Sequence, residues 1–429
     1  MNVRKIAYRV LRKLERDKRF PTEETKSALS QMEKRERAFF KELVWGTMRK
    51  QIYIDWLLNK YLKNPEIPPA IRVVLRIGVY QILFMDSVPD YAAVSETVEL
   101  VENIRFRSLV NAILKRISKD GFKDPQEIHI KYSHPNWIYE ELLKWEKSVA
   151  ETVMRDHMKA LPTVLRVNTL RISRERLVEN LRKKGIESRP TVHSPFGIVA
   201  RYNSDLSELF AIKEGLAIAQ GESSQIVTIL LDPKPGTKIL DMASGMGGKT
   251  THIAEYTKDN AEILAVDDSA EKIDILKENA KRLGIKSIKT LTADSRRLSD
   301  IVKEKFDYIL LDAPCTSLGT ARKNPDVLLT TKPDEPKKMR IIQRALLEQA
   351  RKLLKENGRM IYSICTFTKD ESTNLIREFL NVNKDMKIAD ISEKLEAMGI
   401  NHRWDGFGAL MLPDGDVLTE FYISELEKK

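Results

Sequence analysis

Cysteine is nearly absent: among 429 residues there are only Cys315 and Cys365. Two thiols cannot form a disulfide framework. No CxxC pair or histidine cluster accompanies them, so zinc ligation is not indicated and no metal is expected. Apolar runs of membrane length are missing too. The most apolar stretch, 71–85, is broken by Arg72, Arg76 and Gln81, whereas a spanning helix needs about 20 predominantly apolar residues. The opening Met-Asn-Val-Arg-Lys is charged and carries no signal-peptide core. There is no internal repeat and no low-complexity tract. These absences argue against a disulfide-stapled secreted scaffold and a helical membrane protein. The default expectation is a cytoplasmic, monomeric protein with no membrane partner.

What is present is a globular composition, 42% hydrophobic and 31% charged, in a chain long enough for two or three domains. The net charge of +11 is unevenly placed. Residues 1–120 hold 24 Lys and Arg against 15 Asp and Glu, and the rest of the chain is close to neutral. A basic first part joined to a neutral remainder points to an anionic partner held by that part. A solvated Lys-rich helical surface would give the same count.

Three regions follow from periodicity. Residues 1–122 read as all-α: Ile6, Val10 and Leu14 share a helix face, 36–58 carries Phe39, Leu43, Trp45 and Met48, and further helical patterns cover 71–85, 92–101 and 108–117. Pro65, Pro68, Pro69 and Pro89 punctuate them. Residues 123–214 read as a linker and a small α+β module, with a strand over 164–168 and a helix over 173–184 stopped by Gly185. From 215 to 429 strands alternate with helices, as in a doubly wound parallel sheet. The strands are expected at 238–241, 263–267, 288–291, 308–312 and 359–363, with helices including 269–283 and 338–356.

The first of those strands runs into Met242-Ala243-Ser244-Gly245-Met246-Gly247-Gly248-Lys249-Thr250 and then a helix. Glycines at such a turn let the backbone approach a ligand in front of a helix N-terminus. The next strand ends in Asp267, about 20 residues on, where a carboxylate holds ribose hydroxyls. The third ends before Asp294, placed to reach the far end of a nucleoside. Residues 243–250 also fit a loosened phosphate-binding loop, with the strand ending in Asp312 as its metal-binding partner. Against a triphosphatase stand the missing first glycine, the Ala-Pro-Cys after Asp312, and the presence of Asp267.

Both cysteines sit at carboxyl ends of strands, in Asp312-Ala313-Pro314-Cys315 and Ser363-Ile364-Cys365. A free cysteine is usually a small buried core residue. If these two strands are neighbours, however, both thiols face one pocket beside the glycine loop. The pair resembles that of the Sun/Fmu/RsmB ribosomal RNA cytosine-C5 methyltransferases of the NOL/NOP/Sun group, and the resemblance covers essentially the whole chain. Residues 36–49, 75–89 and 91–96, with Val110-Asn111-Ala112-Ile113-Leu114, resemble the NusB-like RNA-binding domain that precedes the enzyme. Val167-Asn168-Thr169-Leu170 resembles the small module, and 220–241 the approach to the cofactor loop. The chain departs from the family where Ala243-Ser244-Gly245-Met246 replaces Cys-Ala-Ala-Pro. It departs again where Ile364 stands for Thr, and where Glu371, Ser372 and Thr373 stand for a Glu-Asn-Glu cluster.

The resemblance implies a class I, Rossmann-like S-adenosylmethionine-dependent methyltransferase domain. Ala243, Ser244, Gly245, Met246, Gly247, Gly248, Lys249, Asp267, Asp294 and Asp312 would line the cofactor site. Cys365 would be the nucleophile and Cys315 would assist product release. Thiols suit this chemistry because cytosine C5 is a poor nucleophile until a thiolate adds to C6 and makes the ring an enamine. Lys249 or the sulfonium would favour the thiolate, and Asp312 would hydrogen-bond the cytosine edge. The expected partner is RNA, ribosomal RNA first and transfer RNA second. The alternatives are a P-loop ATPase and a non-catalytic RNA-binding assembly protein.

Overall fold

The computed structural model describes residues 2–202 and 205–429. The chain divides into two compact units, one of 1–140 with 154–160 and 321–331, the other of 141–153, 161–320 and 332–429. The first unit is helical, with main helices Val3–Asp17, Thr22–Ser30, Lys34–Arg49, Gln51–Asn59, Pro69–Phe84, Asp90–Val98 and Arg107–Asp120. The apolar stretch 71–85 is its central helix, packed into one core with Leu11, Phe40, Leu57 and Leu114. Arg76, which interrupts that stretch, is buried but satisfied: its guanidinium pairs with Asp55 at 2.7 Å and Glu15 at 2.8 Å. The single pattern read over 36–58 is two helices. They part at Lys50, and the Ser133 hydroxyl accepts from the amides of Ile52 and Tyr53 at 3.0 and 3.3 Å. No helix among the described residues is long and apolar enough to cross a membrane.

The second unit holds two sheets. The smaller has strands β1 (Thr163–Val167), β2 (Ser188–Pro190), β3 (Gly197–Ala200) and β4 (Ala217–Ala219) in the antiparallel order β2-β3-β1-β4. Helix Arg174–Lys183 packs Leu177, Val178 and Leu181 into its core with Leu165, Val167 and Ile198. In the larger sheet, β5 (Lys238–Asp241), β6 (Glu262–Asp267), β7 (Ile288–Thr292), β8 (Phe306–Asp312) and β9 (Leu354–Ile364) are parallel, in the order β7-β6-β5-β8-β9. Short connections are impossible between parallel strands, so helices such as Gly248–Tyr256, Ala270–Leu283 and Glu335–Leu353 cross over between them.

Two sequence expectations need correction. The sheet is mixed rather than purely parallel: β13 (Phe421–Lys428) is antiparallel to β9 and carries β12 (Ala409–Met411), β11 (His402–Trp404) and β10 (Met386–Ala389) beyond it. The helix expected over 338–356 ends at Leu353. Leu354 is recruited to pair with Phe306, and the register then shifts before Tyr308 meets Arg359. Asn357, at φ 59°, lies within that irregular stretch.

Candidate active site

At the carboxyl end of β5 the chain makes the glycine turn. Gly245 and Gly247 both have positive φ, 54° and 85°. Gly247 is required twice over, because a Cβ there would lie 2.7 Å from Leu276. The loop is pinned to the next strand: the Ser244 amide donates to Val266 O at 2.9 Å and the Gly245 amide to Asp267 Oδ2 at 2.9 Å. Ala243 is half-buried, Ser244 buried and Met246 exposed. Gly248 starts the following helix. Ser244 Oγ and, beside Gly248, Gln220 Nε2 are buried without a hydrogen-bond partner among the described residues. Unspent polar atoms of this kind suit a loop that receives a polar ligand. Asp294 caps the short turn Ser295–Arg297 and pairs with Arg296 at 2.7 Å, so it is the most solvated of the expected carboxylates.

Arg166, on β1 of the small module, braces this loop from behind. Its side chain is fully buried and donates to Glu255 at 2.8 and 3.0 Å, to Gln220 Oε1 at 2.6 Å, to Gly248 O at 2.6 Å and to Thr251 Oγ1 at 3.0 Å. Sequence reasoning placed Arg166 only within a strand, because nothing local marks which arginine folds inward.

Because β8 and β9 are adjacent, their ends bring the two thiols together, with Cys315 Sγ and Cys365 Sγ 3.4 Å apart. Asp312 is held from both sides, accepting from Lys249 Nζ at 2.5 Å and from the Ser363 hydroxyl at 2.7 Å. Ser317, which sequence reasoning passed over, has its hydroxyl 3.6 Å from Cys365 Sγ and 3.9 Å from Cys315 Sγ. Its only signal was proximity to the Asp-Ala-Pro-Cys motif. The thiols are not equivalent. Cys365 is lowered from the ordinary thiol pKa because Cys315 donates to it and because Ser317 and the Lys249 ammonium favour its anion, outweighing burial and Asp312. Cys315 is raised, since Cys365 holds its proton while burial and Glu371 disfavour its charge.

Glu371, noted from sequence only as the remnant of a cluster, is fully buried and ties the two cysteine loops together. It accepts from the Thr316 amide at 2.9 Å, the Thr316 hydroxyl at 2.6 Å, the Thr368 hydroxyl at 2.7 Å and Gln343 Nε2 at 3.1 Å. Thr316 and Thr366, the residues following the two cysteines, share a hydroxyl contact of 2.9 Å. The Gly319 amide adds a bond to Cys365 O at 3.0 Å, and a Cβ on Gly319 would lie 2.5 Å from Glu420 O. Deeper still, burial raises Asp241 to about 7, with one oxygen on the Thr250 hydroxyl at 2.6 Å.

Comparison with known proteins agrees with this layout. The model of the 16S rRNA methyltransferase RsmB/F family matches residues 228–427, the NusB family model 1–119, and the RsmF/B-like ferredoxin-like domain model 134–205. The probable ribosomal RNA small subunit methyltransferase B of Bacillus subtilis is 31% identical over 405 residues, covering 90% of each chain. Its Synechocystis counterpart is 29% identical with complete coverage of both. Among solved structures, PH0851 superposes with a TM-score of 0.82 at 28% identity, covering 99% of each chain. NSun6 from Pyrococcus horikoshii with SFG does so at 0.60 and 25%, covering 68% of this chain and 98% of that one. The fold and site define a Rossmann-like methyltransferase joined to a NusB-type helical domain. The chain belongs to the RsmB/F family of ribosomal RNA methyltransferases, which sets aside the triphosphatase reading of the glycine loop.

Proposed function

We propose that the protein transfers a methyl group from S-adenosylmethionine to C5 of a cytosine in ribosomal RNA, with Cys365 as covalent nucleophile. The observation that carries this reading is the pair of thiols 3.4 Å apart beside Lys249 and Asp312, an arrangement that shifts their proton affinities in opposite directions. The loop 243–249, Asp267 and Asp294 are assigned to the cofactor, which when bound supplies an electrophilic methyl on sulfonium. Asp267 would hold ribose hydroxyls and Asp294 would face the base.

Cys365 as thiolate forms the S–C6 bond, and the ring electrons move to C5, where the C–C bond to the methyl forms as its bond to sulfur breaks. Lys249 stabilises the thiolate beforehand, and Asp312 accepts a hydrogen bond from the cytosine edge. The C5 proton then leaves to a base, the S–C6 bond breaks, and Cys315 assists this release by returning a proton to the departing Cys365 sulfur. The target must be unpaired or flipped, because a stacked base cannot offer C6 and C5 together. Bisulfite sequencing of RNA from cells with and without the protein tests the assignment. A conversion-resistant cytosine in small-subunit rRNA that vanishes with the gene is expected. Loss confined to transfer RNA would redirect the substrate, and no loss in either would refute C5 chemistry.

A further inference from the structure

A second cluster of reactive side chains stands apart from the thiols. His193 lies between β2 and β3 of the small module, Glu222 in the first turn of helix Glu222–Leu231, and Asp414 between β12 and β13. One ligand atom from each lies within 4.8 Å of the others. We propose that His193, Glu222 and Asp414 form a binding site for a divalent transition-metal ion, zinc being the best match to one imidazole and two carboxylates.

Beyond a contact between His193 and Asp414, the hydrogen bonding leaves one potential ligand atom on each residue. His193 Nδ1 lies 2.9 Å from Met398 O, which can only accept, so Nδ1 carries the proton and in the neutral ring Nε2 presents a lone pair. That lone pair faces Asp414 Oδ2 at 3.2 Å. Two acceptors at this distance repel unless a proton or a metal cation lies between them. Asp414 spends its other oxygen, Oδ1, on the amides of Asp416 and Leu418 at 2.8 and 3.1 Å. Glu222 likewise spends Oε1 on the amides of His193 and Ser194, both at 2.7 Å. Its Oε2 is buried without a partner among the described residues, on a side chain that is itself fully buried. An unpaired carboxylate oxygen at such a depth is costly unless a cation or proton meets it. Backbone groups that fix each ligand's orientation are the usual outer support of a metal site. The 3.2 Å between His193 Nε2 and Asp414 Oδ2 also fits, because two ligand atoms about 2.0–2.1 Å from a tetrahedral zinc are about 3.3 Å apart. The partial exposure of Asp414 leaves room for water as a fourth ligand. A bound ion would fasten the β2–β3 loop to that helix and to the β12–β13 connection. The competing arrangement is an imidazolium, and His193 is indeed raised, with Asp414 its largest cause.

The test uses the full chain with Cys315 and Cys365 both replaced by Ser, so that the thiol pair cannot take up metal. After stripping with a chelator and dialysis against zinc chloride, one zinc per chain should be retained. Asp414→Asn should weaken retention by about tenfold or more. Glu222→Gln keeps an oxygen for the two amides and loses only the free carboxylate oxygen, so it should fold and still bind zinc more weakly. No zinc above buffer level in the parent, or equal retention by parent and Glu222→Gln, would overturn the proposal in favour of the imidazolium.

Discussion

Arg166→Met keeps the approximate length of the side chain but leaves Glu255 alone in the interior. Arg166 is fully buried and Glu255 nearly so, and the guanidinium makes five hydrogen bonds that stop with it. Removing one partner of a buried pair costs about 3–5 kcal/mol, because the other charge remains unpaired. For a unit of this size that lowers Tm by about 6–20 °C. The pH dependence carries a definite sign. Burial already raises the Glu255 carboxyl against the pull of Arg166, and without Arg166 it rises further. A folded-state carboxyl above its unfolded value loses stability as pH climbs through that interval. The deficit of the variant should therefore be largest at about pH 8 and shrink towards pH 5, where Glu255 takes up a proton. Thermal unfolding followed by circular dichroism across that range measures it. Arg166→Met combined with Glu255→Leu should recover much of the loss. A single variant that melts within about 2 °C of the parent at pH 8, or a deficit independent of pH, would refute the argument.

Two further outcomes are expected. Asp267→Ala should weaken S-adenosylmethionine binding by about tenfold or more in calorimetry, because it would remove the proposed ribose acceptor, worth about 1.5–3 kcal/mol, together with the anchor of the Gly245 amide; unchanged binding would move the ribose elsewhere. Lys34 and Arg35 are exposed within the basic helical unit. Replacing both with Gln should weaken RNA binding and reduce the log–log salt slope by about 0.7 for each phosphate no longer neutralised on single-stranded RNA. An unchanged slope would place the RNA on another surface.

Much of the fold is legible because its periods are local. Strands β5 to β8 begin and end within two residues of where alternating and apolar patterns place them, and the glycine turn follows from Gly245 and Gly247 alone. What sequence could not supply is adjacency. The meeting of Cys315 and Cys365 depends on β8 lying beside β9, which no local pattern encodes. The same holds for β13, which inserts antiparallel between β9 and β12, and for Arg166, whose inward turn is set by a glutamate 89 residues away. Glu371 shows the converse: the family motif around it is altered, yet its hydroxyl and amide partners from both cysteine loops are complete.

The central claim is that the two neighbouring thiols have separate tasks, and one gel decides it. Protein and RNA are incubated with S-adenosylmethionine and resolved under denaturing conditions. Cys365→Ser should give no methylation and no adduct, since a hydroxyl is far less ionised than a thiol at neutral pH. Cys315→Ala should methylate once and stall, leaving a band of protein joined to RNA that disappears when Cys365→Ser is added. An adduct in Cys365→Ser but not in Cys315→Ala would reverse the roles, and no adduct in either, with both variants merely less stable, would contradict covalent catalysis by this pair.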